Sequence, residues 1–501
     1  MAILQDLISG GTLCPDHRPW PRATVGAAQW EAACEALVDG RCTLLGLWGE
    51  RTAVHMALLG EGGAIAVLSH DCPEGRFPSV GRRHAPARRL ERTIADLFGL
   101  TAEGAPDDRA WLDHGRWGLR EPLGRAQPSE TGGDPYEYLP VEGDGLHRIS
   151  VGPVHAGTIE PGHFRFTVNG EAVARLEARF GYAHKGIEGL MAGADIARAA
   201  QLAARVSGDA TVAYGIAFAR AVEAALEVEA PARAHWLRAL MAELERLANH
   251  LGDFGAICND ASFALMHAHC GILRERVLRA SAACFGHRLM RDIAVPGGVA
   301  GDLDGEGVVA VRDLLAGIRA RLPGLIELYD NTASLQDRTI GTGLLDPVLA
   351  RRFGAGGPVG RASGRAFDCR RTPGYPPYDT LRFEVPVRQE CDVNARVWVR
   401  IDEIGQSLSL VEQILAGMPD GSLRTELPTR AGEGMALAES FRGDVLVWIR
   451  LDGAGRVARC HLRDPSWFQW PLIEAVVEGN IVADFPLCNK SFNCSYSGHD
   501  L

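Results

Sequence analysis

The chain has 501 residues, a mass of 53.9 kDa and a hydrophobic content of 46%, which are ordinary values for a globular protein of two or three domains. Its net charge of −11 argues against nucleic-acid binding, which requires a basic face. No stretch approaches the roughly 20 apolar residues that span a bilayer, and the first residues lack a secretion signal. We therefore expect a cytoplasmic chain that reaches a membrane only through partners.

The first quarter of the chain predicts a small α+β domain. Apolar and β-branched runs at 43–47, 52–58 and 64–68 predict strands, and the pattern at 87–97 predicts a helix. We assign this domain to residues 1–123 on the order of these elements.

A connector follows the first domain. The segment 124–145 contains three prolines and five glycines, a composition typical of irregular or extended chain. We place a linker at 124–148 and a second domain at 149–501.

Two β-hairpins are predicted in the second domain. The first joins 164–168 to 171–176 through Asn169-Gly170, a pair that favours a type I′ turn. The second joins 445–451 to 456–462 across an Asp-Gly pair. We expect both at the margins of this domain.

Two long amphipathic helices form the predicted body of the same domain. One begins at Pro231, a good first helical residue, and leucines recur on one of its faces. The other carries a stripe that includes Ile404 and Val411, and it ends at Gly417. The predicted fold class is α+β: a small α+β domain followed by a large, mainly helical one.

The twelve cysteines show no ligand motif. No two of them have the C-x2-C spacing of a zinc or iron–sulfur site, and the late pair Cys488 and Cys494 lies six residues apart. We interpret them as reduced, mostly buried thiols of a chain that binds no metal of its own.

Two groups of motifs resemble one family. ERTIADLFGL at 91–100 and Trp117 resemble the smaller hydrophilic subunit of respiratory complex I. VGPVH at 151–155 and EPGHFR at 160–165 resemble the large hydrophilic subunit of complex I. They resemble even more the large subunit of membrane-bound nickel–iron hydrogenases of the formate-hydrogenlyase type. The match continues in order through the strings at 181–188, 233–250, 296–299, 338–341 and 360–364. The resemblance implies the fold of a hydrogenase large subunit.

The resemblance also identifies four positions at which the hydrogenases carry cysteine ligands. They are Ser207, Ala210, Ser495 and Gly498 in this chain, so all four thiolates are replaced. Because nickel and low-spin iron need soft thiolate ligands, we expect no nickel–iron centre.

In complex I the corresponding cavity receives a quinone headgroup, and the resemblance places its histidine and aspartate at His163 and Asp260. An aspartate beside a histidine raises the imidazole pKa, which suits proton delivery. The tyrosine of that site falls on Gly208, which weighs against ordinary quinone reduction. The alternatives are a loop histidine and, for Asp260, a helix cap.

Three further residues are candidates by the same resemblance. Glu160 matches the proton-relaying glutamate of hydrogenases, with a solvated turn residue as the alternative. His184 and Lys185 match a histidine–arginine pair close to an iron–sulfur cluster of the neighbouring subunit, with an exposed helix start as the alternative.

These observations favour a peripheral-arm subunit of a membrane-bound, ion-translocating oxidoreductase on the cytoplasmic side of the bacterial inner membrane. Iron–sulfur clusters would lie in partners, quinone is a possible ligand, and no nucleic acid is expected. The implied partners are an iron–sulfur small subunit, a ferredoxin-like subunit, and antiporter-like and quinone-channel-like membrane subunits. The competing hypotheses are a structural scaffold with a vestigial site and a working hydrogenase with unusual ligands.

Overall fold

The structure is a computed structural model that describes residues 2–132, 135–157 and 159–501. Its helices are α1 Ala2–Ser9, α2 Ala27–Val38, α3 Arg88–Phe98, α4 Ile187–Met191, α5 Ile196–Ala203, α6 Thr211–Leu226, α7 Ala232–Asp260, α8 Ala264–Phe285, α9 Gly305–Asp330, α10 Ala333–Thr339, α11 Pro347–Arg352, α12 Gly357–Arg361, α13 Val393–Gly417, α14 Ser466–Val477, α15 Phe485–Phe492 and α16 Tyr496–Asp500.

The strands are β1 Thr12–Leu13, β2 His17–Arg18, β3 Arg22–Thr24, β4 Thr43–Gly49, β5 Ala53–Leu59, β6 Ile65–Asp71, β7 Arg76–Pro78, β8 Thr101–Glu103, β9 Leu119–Arg120, β10 Gln127–Pro128, β11 Leu146–Val151, β12 His163–Asn169, β13 Ala172–Arg179, β14 Ala294–Val295, β15 Gly298–Val299, β16 Gly432–Ser440, β17 Gly443–Leu451 and β18 Val457–Arg463.

The first part of the chain forms a five-stranded sheet in the order β1-β3-β6-β5-β4. Strands β4, β5 and β6 are the three predicted runs, and they form an antiparallel meander whose apolar residues are almost all buried. Helix α3 occupies the predicted segment and ends at Gly99, whose left-handed φ of 72° suits glycine. The α+β character predicted for this part is confirmed.

A bundle built on α7 forms the body of the second part. Helix α7 begins at Ala232, so Pro231 stands at the N-cap position, without a side-chain cap, rather than at the predicted first helical position. The predicted leucine face is fully buried against α8 and α13. Asp392 caps α13 by accepting a hydrogen bond from the Ala395 N–H, and the helix ends at Gly417 as predicted. Both long helices follow from the local pattern, because each buries an apolar stripe with period 3.6.

The two predicted hairpins form in different surroundings. Strands β12 and β13 turn at Gly170 and pair with β11 in a three-stranded sheet. Strands β17 and β18 join β16 and β2 in a four-stranded sheet that is buried on both faces, so the marginal position predicted for this hairpin is wrong. The reason is that α6 packs on this sheet and the first part of the chain adds β2 to its edge.

The two predicted domains share a hydrophobic core. Trp48 of the first sheet lies 5.6 Å, centroid to centroid, from Trp448 of β17 and stacks on His461 of β18 at 5.0 Å. All twelve cysteines are free, and all but Cys14 and Cys284 are buried, as predicted. None of the described helices is long and apolar enough to cross a membrane.

Candidate functional site

The four cysteine-replacing positions converge from the two ends of the second part. Ser207 and Ala210 lie in the turn between α5 and α6, and Ser495 and Gly498 lie at the start of α16. The hydroxyl oxygens of Ser207 and Ser495 are 3.0 Å apart, although the residues are 288 positions apart in the chain. Both serines are buried. The fold therefore assembles the expected pocket.

The two serine hydroxyls are engaged in hydrogen bonds within the chain. Ser207 Oγ donates to Asp209 Oδ1 at 2.8 Å, which leaves the Ser495 hydroxyl as the donor to Ser207. Ser495 Oγ also accepts from the Gly498 N–H at 2.9 Å and so caps α16. This chain of bonds satisfies both hydroxyl protons.

A carboxylate fills the space beside Gly498. A Cβ atom at this position would lie 2.5 Å from Asp464 Oδ2 and 2.7 Å from its Cγ. The same Oδ2 accepts a hydrogen bond from the Tyr214 hydroxyl at 2.8 Å, and Oδ1 accepts from the Ser466 N–H at 2.9 Å. Burial beside Asp464 raises the pKa of Tyr214 well above its usual value, so the hydroxyl stays protonated. Asp464 thus occupies the room a cysteine side chain would need.

An ion pair closes the pocket on the Ser207 side. Arg442 donates through Nη1 and Nη2 to the two oxygens of Asp209 at 2.8 and 2.5 Å. Burial favours the protonated acid, but the Arg442 guanidinium and the Ser207 hydroxyl outweigh it and lower the pKa of Asp209 to about 2. Asp209 is therefore a carboxylate bound on two sides.

The residues of this pocket do not fit a nickel–iron centre. Such a centre needs soft thiolate ligands, whereas the four positions offer two mutually bonded hydroxyls, a methyl group and a glycine with no room for a side chain. Within the described residues, no group of three or more His, Cys, Asp or Glu side chains is arranged to hold a metal ion.

Glu160 and Lys185 lie beside α16. Glu160 is exposed, and its Oε2 accepts a hydrogen bond from the Ser497 N–H at 2.8 Å. The Lys185 ammonium donates to the carbonyl of Val206, next to Ser207, at 3.1 Å. Burial lowers the pKa of Lys185, while the nearby carboxylates of Glu160 and Asp500 oppose this effect. Both candidates therefore border the pocket.

His184 is anchored to the same helix. Its Nδ1 lies 2.7 Å from the carbonyl oxygen of Asp500, and its ring stacks on Trp117 with centroids 4.7 Å apart. Trp117, from the segment that resembles the smaller subunit, therefore contacts His184, from the segment that resembles the larger one.

The predicted pairing of His163 with Asp260 is not formed. His163 Nδ1 lies 3.3 Å from the Gly152 carbonyl, and burial lowers the pKa of the ring, so the histidine is biased toward its neutral form. Asp260 is the last residue of α7 and accepts from Asn259, and burial raises the pKa of its carboxyl. Among the described residues, no hydrogen bond or ion pair joins the two side chains.

The alternative interpretation of Asp260 as a helix cap is also wrong. Helix α8 begins after Phe263 and has no side-chain cap. In place of Asp260, an aromatic side chain lies near His163: the centroid of the Tyr138 ring is 5.6 Å from that of the imidazole. This tyrosine belongs to the segment predicted as linker.

Sequence reasoning missed three members of the pocket: Asp464, Tyr214 and Arg442. Asp209 carried a signal, since it stands between two replaced ligand positions, but the other three lie on separate elements. The sequence offered one indication of these residues: charged and hydroxyl groups stand at the ends of apolar runs, and such groups require partners when they are buried. The identity of those partners depends on the packing of α6 against the β16–β18 sheet.

Comparison with known proteins agrees with this geometry. Residues 263–432 and 424–500 match the family described as respiratory-chain NADH dehydrogenase, 49 Kd subunit, and residues 185–258 match the family described as nickel-dependent hydrogenase. Of the four pocket positions, Ser207 and Ala210 lie in the range that matches the hydrogenase family, and Ser495 and Gly498 lie in the range that matches the 49 Kd subunit family.

Curated relatives cover most of the chain. Formate hydrogenlyase subunit 5 of Escherichia coli is 32% identical over 445 residues, which are 86% of this chain and 78% of that protein. Hydrogenase-4 component G of Escherichia coli is 30% identical over 464 residues, which are 89% of this chain and 80% of that protein.

A solved structure shares the fold. A chain of the membrane-bound sulfane sulfur reductase, an archaeal respiratory membrane complex, superposes with a TM-score of 0.68 at 27% identity over 72% of this chain and 100% of that one. The chain therefore belongs to the family that unites the 49 Kd subunit of respiratory-chain NADH dehydrogenase with the large subunits of nickel-dependent hydrogenases.

Proposed function

We propose that this chain is a peripheral-arm subunit of a membrane-bound, ion-translocating oxidoreductase of the complex I-like or hydrogenase-4-like type, and that it has no nickel–iron centre of its own. Its relatives are subunits of such complexes. The observation that carries the proposal is the Ser207–Ser495 hydrogen bond with Asp464 beside Gly498. The four ligand positions of the family come together in this chain, but hydrogen bonds within the chain link them in place of a metal centre.

The surface beside α16 is the proposed docking site for an iron–sulfur small subunit. It carries Lys185 and Glu160, and exposed apolar side chains lie on the adjoining segments. Val154 is 79% exposed and Leu190 is 58% exposed, so both side chains are available for contact with a partner. The iron–sulfur clusters would then belong to the partner, with His184 and Lys185 close to one of them.

The remaining partners follow from the same assignment. A ferredoxin-like subunit would complete the electron path, and antiporter-like and quinone-channel-like subunits would anchor the arm to the cytoplasmic side of the bacterial inner membrane. We infer no nucleic-acid partner, in keeping with the acidic composition. The domain limits proposed from the sequence, 1–123 and 149–501, assign one subunit-like unit to each side of the linker.

The docking proposal is tested by affinity purification of the full chain from membranes of its own organism. We expect the iron–sulfur and membrane subunits to co-purify with the wild type. The substitution Val154→Asp should reduce their recovery, whereas Val309→Asp, at a 56% exposed position on α9, should not. Recovery of the chain alone from solubilised membranes would contradict the proposal.

A proton-coupling or quinone-binding cavity is the finer part of the proposal. His163 is half-buried, and Tyr138 lies beside it and can donate a hydrogen bond in place of the tyrosine that Gly208 replaces. Glu160, which touches α16, and Asp260, whose pKa is raised by burial, are the proposed proton-carrying carboxyl groups. A quinone oxygen would be received between the imidazole and the phenol.

This part is tested in the assembled complex. His163→Ala should lower quinone-dependent turnover, whereas His147→Ala, at an exposed position on β11, should leave it unchanged. Asp260→Asn tests the carboxyl independently, because this residue does not touch His163. Full turnover in the His163 and Asp260 variants would contradict the cavity, and with co-purification retained it would indicate a scaffold.

A further inference from the structure

A second buried carboxyl group lies next to the pocket, on the side away from α16. Glu245 of α7 is buried, and its two oxygens accept hydrogen bonds from the N–H groups of Val212 and Ala213 at 2.7 and 3.1 Å. These groups belong to the first turn of α6. Among the described residues, Glu245 has no cationic partner within ion-pair distance.

A small cavity adjoins this carboxyl. Its volume is about 10 Å³, and it lies between α7, α8 and the turn that follows α8. This volume is on the order of that required by one water molecule. Its polar lining consists of Asp209, Glu245, Asn249, Arg274, Ser281 and Arg288.

Ser281 is the independent sign of a bound molecule. Its side chain is fully buried, and its Oγ has no hydrogen-bond partner among the described residues, although it lines the cavity. An unpartnered hydroxyl in a protein interior costs about 1–3 kcal/mol. A water molecule that bonds to Ser281 and to the Glu245 carboxyl would remove this cost.

The charges around Glu245 favour a carboxyl that can change its protonation state. Burial raises the pKa of Glu245 to about 8, although the hydrogen bonds from the two backbone N–H groups lower it. Asp209, in the turn before α6, raises it further, and Arg246 on α7 lowers it. Arg274 on α8 and Arg288 on the following turn also face the cavity.

The cavity is lined both by an exposed residue and by a residue that is hydrogen-bonded to the serine pair. Arg288 at its rim is exposed, and Asp209 in its wall accepts the hydrogen bond from Ser207. Asn249 holds the two sides together, because its Nδ2 donates to the backbone carbonyls of Asp209 and Glu245 at 2.9 Å each. One polar route therefore leads from the surface to the former ligand positions.

We propose that this cavity is a proton-exchange site, in which a water molecule held by Ser281 carries protons between bulk solvent at Arg288 and the carboxyl of Glu245. In the release step the Glu245 O–H bond breaks, its proton passes to the water, and that water gives a proton to bulk solvent. Uptake reverses the step, and no electrons move. The proposal goes beyond the docking function and does not depend on it.

The test is infrared difference spectroscopy of the isolated full chain after a rapid change of pH. The wild type should show a carboxylic acid C=O band that disappears on raising the pH through about 8, and Glu245→Gln should lack this particular band while keeping those of other buried carboxylic acids such as Glu91. Glu327→Gln, at an exposed position on α9, should retain it. Retention of the band in Glu245→Gln would overturn the assignment.

Ser281→Ala provides a second variant that is expected to fold, because it removes only a hydroxyl group. We expect proton exchange at the Glu245 band to slow at least about tenfold, since the water loses a partner. A high-resolution crystal structure should show a water within hydrogen-bonding distance of Ser281 Oγ and the Glu245 carboxyl. Unchanged exchange in Ser281→Ala, or no water at this position, would overturn the proposal even if Glu245→Gln did not fold.

Discussion

Replacing Gly498 by alanine tests whether Asp464 occupies the room of the former ligand. The new Cβ would lie 2.5 Å from Asp464 Oδ2 and 2.9 Å from Ser495 Oγ. Asp464 is 1% exposed and is held by Tyr214 and by the Ser466 N–H, so it cannot move away without losing a bond.

The expected cost follows from these contacts. Overpacking costs about 1–3 kcal/mol, and a buried Tyr214 hydroxyl without its acceptor adds about 1–3 kcal/mol. The better helix propensity of alanine returns up to about 1 kcal/mol. We therefore expect the free energy of unfolding to fall by about 1–6 kcal/mol, although glycine-to-alanine changes in helices normally stabilise.

The assay is urea unfolding of the full chain, followed by tryptophan fluorescence. Gly208→Ala is the matched control, since its Cβ would meet no atom within 4 Å; a change within about 0.5 kcal/mol is expected there. In an Asp464→Ala background the cost of Gly498→Ala should largely disappear. Equal costs for Gly498→Ala in both backgrounds, or for the two glycine variants, would refute the reasoning.

Three further substitutions test charged groups. Arg442→Gln should raise the pKa of Asp209 from about 2 and lower the free energy of unfolding near neutral pH, and it should reduce the loss of stability that the wild type shows as pH falls from about 4 to 2; an unchanged acid limb would contradict the pair. Burial raises the pKa of Glu91 to about 7 from 4.5, so this carboxyl makes the wild type less stable as pH rises through this window, and Glu91→Gln should lose less stability over the same window; parallel curves would contradict this. Arg361→Met removes the guanidinium shared by three buried carboxylates, two of which keep another partner, and should cost about 3–5 kcal/mol, measured as lost soluble yield and a lower Tm; a wild-type Tm would contradict the network.

Local patterns were sufficient for the elements that bury one regular face. The meander β4–β6 and the helices α3, α7 and α13 lie where alternation or a 3.6-residue period predicts them. The buried position of β17 and β18 was not predictable in this way, because it depends on α6 and β2, which come from distant parts of the chain.

The residues of the site likewise fall into those that the sequence predicted and those that depend on distant parts of the chain. The resemblance placed Ser207 and Ser495 at corresponding positions, and their hydroxyls are in contact. The predicted His163–Asp260 pair is not formed, because His163 begins β12 and contacts the Gly152 carbonyl, whereas Asp260 ends α7 and accepts from Asn259. Asp464 and Tyr214 were missed, since their contact joins the end of β18 to α6 and leaves no local pattern.

The central claim is that this subunit works within its complex without nickel. The most direct measurement is the nickel and iron content of the complex isolated from membranes through a tag on this chain. We predict several iron atoms per chain, contributed by the iron–sulfur partners, and no stoichiometric nickel. One nickel per chain would contradict the account.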